Sequence, residues 1–153
     1  MFSDLYGISS LTTLVELNLN HNLISDITCL EDLTNLEKLF LAQNKINEIS
    51  CLAKLKQLQV LSLFDNEVFH FDSTIETFEA LPKLKELSID NNPVNAKEGF
   101  KYHLIIKLKL NLLEDEKITE MDKDLAKMFY KKNGLKIPID KKFIKQKSKI
   151  AFV

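Results

Sequence analysis

Residues 14–35 read LVELNLNHNLISDITCLEDLTN, and residues 36–57 read LEKLFLAQNKINEISCLAKLKQ. Set one above the other, Leu14, Leu17, Leu19, Asn22, Ile24, Ile27, Leu30 and Leu33 fall on Leu36, Leu39, Leu41, Asn44, Ile46, Ile49, Leu52 and Leu55, a period of 22 residues. A third copy begins at Leu58, with Leu61, Leu63, Asn66, Val68 and Phe71, and a fourth at Leu84, with Leu87, Ile89, Asn92 and Val94. Self-similarity at a fixed short period is the signature of a solenoid, in which no unit covers its own apolar face and each relies on its neighbour.

The motif L-x-x-L-x-L-x-x-N-x-I translates position by position. Its x-L-x-L-x stretch alternates, so Leu17 and Leu19 point inward and Glu16, Asn18 and Asn20 point outward. Stacked copies then form a parallel sheet, and the Ile-x-x-Ile-x-x-Leu run returns on the opposite, convex side as short turns or helix. Asn22, Asn44, Asn66 and Asn92 are polar at a position that belongs inside. Their amides are expected to satisfy backbone groups bared where the chain leaves the sheet, each costing about 1–3 kcal/mol if left unmade.

The third repeat is longer, 26 residues from Leu58 to Leu84. Ser73 followed by Glu76 reads as a capping box, with Pro82 as the stop, and predicts a convex helix over residues 74–80. At the start, Phe2, Leu5, Ile8 and Leu11 match only the second half of a repeat, so the first coil is expected to be incomplete: a fragment of a longer array, or a coil covered by another chain. Residues 1–95 are read as the repeats and 96–118 as a cap, in which Phe100, Leu104 and Leu108 have helical spacing and Leu112 and Leu113 form a last strand. Residues 119–134 are read as an amphipathic helix with a Met121, Leu125, Met128, Phe129 stripe, acids in its first turn, lysines in its last, and Asn133-Gly134 as its stop. Residues 135–153 form a tail of six lysines and one acid, interleaved with Ile137, Ile139, Phe143, Ile150 and Phe152, expected to be extended or partner-bound.

These residues resemble the 22-residue class of intracellular leucine-rich-repeat proteins, whose members include an axonemal dynein light chain, a phosphatase-1 regulatory subunit and the spliceosomal A-prime protein. The segment from Asn92-Pro93 to Thr119 is similar to that class's C-terminal cap, although LKLNLLED stands where Leu-Pro-x-Leu-x-x-Leu-Asp is common. Bacterial internalins share the period but are not expected to end in such a cap. The resemblance implies an α/β right-handed leucine-rich-repeat solenoid, with its parallel sheet on the concave face and a helical C-terminal cap. It also implies a non-enzymatic module binding protein partners, such as a subunit of the ciliary axoneme, a ribonucleoprotein component or a phosphatase regulator.

Bulk properties agree with one domain: 153 residues, 45% apolar and 28% charged. The near-neutral total hides an asymmetry, since residues 1–95 carry 14 acids and 6 lysines whereas residues 96–153 carry 15 lysines and 8 acids. Every one of the 21 basic residues is lysine, which disfavours nucleic acid, because bidentate phosphate recognition belongs to arginine. No apolar run is long enough to span a membrane, and the first residues lack the basic and apolar regions of a signal peptide, so intracellular residence is expected. Cys29 and Cys51 lie one repeat apart and are expected as buried thiols.

No catalytic, cofactor or metal constellation emerges. Three glycines cannot build a phosphate loop, and His21, His70 and His103 lack cysteines or carboxylates at ligand spacing. Glu114-Asp115-Glu116 is expected to form a solvated turn. What remains is the outward face of the sheet, in three columns: Glu16, Lys38, Val60, Glu86; then Asn18, Phe40, Ser62, Ser88; then Asn20, Ala42, Phe64, Asp90. Phe40, Ala42, Val60 and Phe64 form an apolar centre rimmed by Glu16, Glu86 and Asp90, the anatomy of a protein-binding surface. Such a rim favours a lysine-bearing helix or domain, with no small-molecule substrate and no membrane.

Overall fold

The structure, a computed structural model, describes residue 3 and residues 5–137. Strands β1 (Glu16–Asn18), β2 (Lys38–Phe40), β3 (Val60–Ser62), β4 (Glu86–Ser88) and β5 (Leu112–Leu113) pair in chain order as a parallel sheet. A last strand, β6 (Glu116–Lys117), turns back antiparallel on β5 and ends it. Inside the sheet Leu17, Leu39, Leu61, Leu87 and Leu113 stack in register. All of these except the half-buried Leu17 of the first coil are buried. Ile24, Ile46 and Val68 continue the core behind them with no exposed surface. Each such side chain contributes about 1.5–3 kcal/mol by leaving water, so the array is held by stacking rather than by any single coil.

On the convex side the chain returns through 3₁₀ turns at Ile8–Ser10, Thr28–Asp32 and Ser50–Lys54. In the longer third repeat a helix, α1 (Phe71–Glu79), takes their place. This helix starts three residues before the sequence expectation. Ser73 is not its cap but lies within it, its carbonyl accepting from Thr77 Oγ1 at 2.7 Å, and His70 occupies the N-cap without a side-chain bond. The earlier start carries Phe71 under the cap, 5.6 Å from the Phe100 ring and 5.0 Å from His103. Aromatic burial there outweighs the local preference of serine for a cap.

The cap helix α2 (Phe100–Lys107) buries Phe100 and Leu104 as its spacing implies, while Leu108 sits just past its end and is half-buried. Helix α3 (Glu120–Lys132) starts from a Thr119–Asp122 capping box. It stops at Asn133-Gly134, where Leu135 N–H bonds Tyr130 O at 2.9 Å and Gly134 N–H bonds Lys131 O at 3.3 Å, with Gly134 at φ 64°. The face it presents to the cap differs from the expected stripe. Ala126 and Tyr130 are buried and Phe129 is half-buried, whereas Met121, Leu125 and Met128 face outward. The cause lies in α2, where Gly99 leaves room for the Phe129 ring, Tyr102 meets that ring at 5.0 Å, and His103 meets Tyr130 at 5.0 Å. Two rings and a small alanine pack more closely there than flexible methionines do.

At the other end, Leu5 is buried and Ile8 half-buried as their repeat positions imply, but Leu11, Val15 and Leu23 are exposed along the outer side of the first coil. The readings placed on Phe2 and on Ile139, Phe143, Ile150 and Phe152 fall outside the described residues.

Candidate functional site

Each coil leaves the sheet through the same turn, built by the asparagine and the residue before it. His21, Gln43, Asp65 and Asn91 all take left-handed backbone, with φ between 55° and 61°. The asparagine after each bonds the bend. Asn66 Nδ2 donates to Leu63 O at 3.0 Å in its own turn and to Leu41 O at 2.9 Å in the preceding coil, while its Oδ1 accepts from Ile46 N–H at 3.0 Å. Asn44 repeats this with Leu41, Leu19 and Ile24, and Asn92 with Ile89, Leu63 and Val68. Asn22, half-buried in the first coil, donates to Leu19 O and Asn20 O of its own turn. The ladder therefore bolts coil to coil and holds the outward columns at a fixed spacing.

Those columns stack as read from the sequence. Glu16, Lys38, Val60 and Glu86 are Cα partners across the strands, and so are Asn18, Phe40, Ser62 and Ser88. The third column lies just beyond the strands. There Asn20 Oδ1 accepts the Ala42 N–H at 2.7 Å, and Phe64 O and Asp90 O take the N–H groups of Gln43 and Asp65. Between the second and fifth coils the face sinks into a depression of about 420 Å3. Phe40, Ala42, Val60 and Phe64 form much of its lining, with Glu86 at its edge. Glu16 and Lys38 are not part of it: they pair with each other at 3.2 Å near the outer coil. Asp90 also stays outside, exposed beside Asn95.

Two contributors were missed in the sequence. Leu112 is the Cα partner of Glu86, so it extends the first column onto β5 and adds apolar surface to the depression. Asp115 adds a second carboxylate. Both were findable, because Leu84, Glu86, Leu87 and Ser88 recur 26 residues later as Leu110, Leu112, Leu113 and Glu114, a fifth coil with the spacing of the third.

In the acidic run that closes this coil Asp115 and Glu116 are exposed, as expected of a solvated turn, but Glu114 is half-buried. Glu114 and Asp115 form the two-residue bend between β5 and β6, with φ of 54° and 61°. Positive φ at both central positions is the backbone a tight hairpin needs, usually supplied by Asn-Gly. Here the bend turns the half-buried Glu114 carboxylate back onto β4, where it accepts from Ile89 N–H at 2.8 Å and from Ser88 Oγ at 3.0 Å. Burial pushes the Glu114 carboxyl above the ordinary carboxylate range, against the opposing pull of the Ile89 and Asp90 N–H groups. Glu114 thus ends the second column beside Ser88, and Asp115 after it lines the depression.

The remaining candidates have structural surroundings. His70 stacks on Phe69 at 3.9 Å, and His103 bonds the Gly99 carbonyl at 2.9 Å through Nδ1. Cys29 and Cys51 are half-buried thiols not joined in a disulfide, Cys29 Sγ donating to Leu5 O at 3.9 Å and Cys51 Sγ to Ile27 O at 3.4 Å. Burial, reinforced by Glu31, Asp26 and Glu48, pushes the Cys51 thiol up to about 11, which keeps it protonated and unreactive at neutral pH. Among the described residues no group of three or more His, Cys, Asp or Glu converges to hold a metal, and no helix is long and apolar enough to cross a membrane.

Residues 12–68 match the leucine rich repeat family. That stretch of the chain is built of leucine-rich repeats. Solved structures with the same fold include an internalin (inlF) from Listeria monocytogenes, 28% identical with a TM-score of 0.63, which covers 76% of this chain and 32% of that one. A chain of the Drosophila melanogaster SNF/U2A′ complex is 24% identical with a TM-score of 0.66, covering 85% of this chain and 75% of that one. A leucine-rich-repeat protein from Leptospira interrogans is 30% identical with a TM-score of 0.58, over 70% of this chain and 26% of that one. The present chain thus spans about a third of the length of the matched internalin. No curated protein sequence matches it. Leucine-rich repeats are typically protein-interaction modules.

Proposed function

We infer that this protein is a non-enzymatic adaptor that holds another protein on its concave face, as a structural or regulatory subunit of a larger assembly. The observation that carries this reading is the apolar floor from β2 to β5, formed by Phe40, Val60, Phe64 and Leu112 with the carboxylates of Glu86 and Asp115 on its cap side. An apolar centre with a charged margin is the layout of a binding hot spot. A helix with apolar residues on one stripe and lysines beside them suits it, the stripe filling the depression and the lysines reaching Glu86 and Asp115. The partner reading needs no small molecule, cofactor or membrane, and it places the protein inside the cell, in the cytoplasm.

The assembly we propose is the ciliary axoneme, with a nuclear ribonucleoprotein or a phosphatase complex as the alternatives. Affinity capture from native lysate, with the full chain beside a Phe40→Asp/Phe64→Asp double variant, separates the three. Both substitutions lie on the outward face, and circular dichroism checks that the fold survives. Loss of tubulin and dynein in the variant supports the axonemal reading, whereas loss of small nuclear RNA or of a phosphatase catalytic subunit moves the protein to the corresponding alternative. Unchanged partners would remove the concave depression as the interface.

A further inference from the structure

Helix α3 has two apolar faces. One packs on α2, and the other, Met121, Leu125 and Met128, stands 74%, 47% and 67% exposed. Leu135 and Ile137, also exposed, prolong this second face past the helix end, where they line a shallow groove with Met128 between Lys127 and Lys131. Charge along the flank is divided by sign. Glu120 and Asp124 lie in the amino-terminal half, and Lys127 and Lys131 in the carboxy-terminal half.

We propose that this face binds a second copy of the same chain, the two α3 helices packing antiparallel about a twofold axis. An interface of this kind must be complementary to itself, and the residues meet that demand. With the stripe spaced as Met121, Leu125, Met128 and Lys132, Asp124 and Lys131 sit on the same flank seven residues apart. Reversing one helix against the other brings Asp124 of each copy opposite Lys131 of its mate. It also pairs Leu125 with Met128 in two equivalent layers, and lays Met121 along the Lys132 stem beside the Leu135 groove. The ion pairs already present, Asp124–Lys127 at 2.8 Å and Glu120–Lys123 at 2.7 Å, join exposed groups and are exchanged at little cost. Helices of 13 residues make a contact below about 1,200 Å2, the size of weak and transient interfaces, so the dissociation constant is expected on the order of 100 µM.

Sedimentation equilibrium of the full chain from about 10 µM to 1 mM tests this on the scale set by that weak affinity. Concentration-dependent dimer is expected, and it should disappear in Leu125→Glu. Lys131→Glu should weaken it by about tenfold or more, because like charges then face each other at both symmetry-related sites. The swapped pair Asp124→Lys/Lys131→Glu should restore it to within about threefold, since the complementary facing is rebuilt with the signs exchanged. A monomer at every concentration, a dimer that ignores Leu125→Glu, or a swap that fails to rescue would each overturn the antiparallel assignment. The Phe40→Asp/Phe64→Asp variant should dimerise normally, so this surface and the concave one stand or fall separately. Loss of dimer in that variant would also overturn the α3 assignment.

Discussion

Replacing Asn66 by alanine should cost far more than its size suggests. The side chain is buried and links two coils, donating to Leu41 O, Leu63 O and Phe64 O and accepting from Ile46 N–H. Truncation strands that N–H in a place water does not reach, while the Leu41 and Leu63 carbonyls each lose one of two donors and keep the Asn44 and Asn92 amides. At about 1–3 kcal/mol for the stranded N–H and about 0.5 kcal/mol for each lost bond to a carbonyl that stays paired, the loss sums to about 2–4 kcal/mol. That is a large part of the roughly 5–15 kcal/mol that holds a domain folded. With a urea slope of about 2 kcal/mol per molar, the midpoint should fall by about 1–2 M. The control is Asn22→Ala in the half-buried first coil, where solvent can reach the groups left behind and about 1 kcal/mol is expected. Asn66→Asp adds a second test: its carboxylate still accepts from Ile46 but turns a negative oxygen towards two carbonyls, so at neutral pH it should be no better than alanine. Urea unfolding followed by circular dichroism decides the matter. If Asn66→Ala shifts the midpoint no more than Asn22→Ala, or if the aspartate variant keeps wild-type stability, the coil-to-coil account of the ladder is wrong.

Three further outcomes follow from the cap. Burial raises the Glu114 carboxyl, so the folded state holds that proton more tightly than the unfolded chain; the stabilisation is fully present below the unfolded value and lost as pH rises through the folded one. Glu114→Gln should therefore match the wild type below about pH 4 and equal or exceed it at pH 7, and urea midpoints in which the variant falls behind as pH rises would contradict this. Gly99→Ala should cost about 2–4 kcal/mol, because a Cβ there overlaps the Phe129 ring and φ is +79°, and hydrogen exchange should show α3 loosening from α2 before the repeats do. Tyr130→Phe should raise the melting temperature by a few degrees, since it removes a buried hydroxyl with no protein hydrogen-bond partner, an arrangement costing about 1–3 kcal/mol; a drop would mean the hydroxyl contributes to stability.

The repeats were legible because one constraint, leucine in and polar out with asparagine at the bend, is written several times over, and each copy checks the others. The outward columns follow from the same alternation, which by itself places Phe40, Val60 and Phe64 together. Legibility failed where a position is decided by a partner distant in sequence. The outward face of α3 looked like its core because Met121, Leu125 and Met128 satisfy helical spacing as well as Ala126 and Tyr130 do; only the opening at Gly99 chooses between them. Ser73 reads as a cap on local chemistry, and Phe71 overrides it by reaching Phe100 in another helix. Glu114 passed for a surface acid because nothing nearby in sequence announces Ser88 and Ile89, its partners 26 and 25 residues earlier.

The extra residues of the third and fourth coils have a consequence for how such a molecule changes over time. Both coils are lengthened by four, yet Val60, Glu86 and Leu112 remain neighbours in the sheet with no slip. Added length is stored behind, as α1 in one coil and α2 in the other, because the sheet ladder and the asparagine bends set the spacing in front. Insertions on the back are therefore silent to whatever lies against the front. The two sides can drift independently, the rear gaining helices and new surfaces such as α3 while the front changes one side chain at a time.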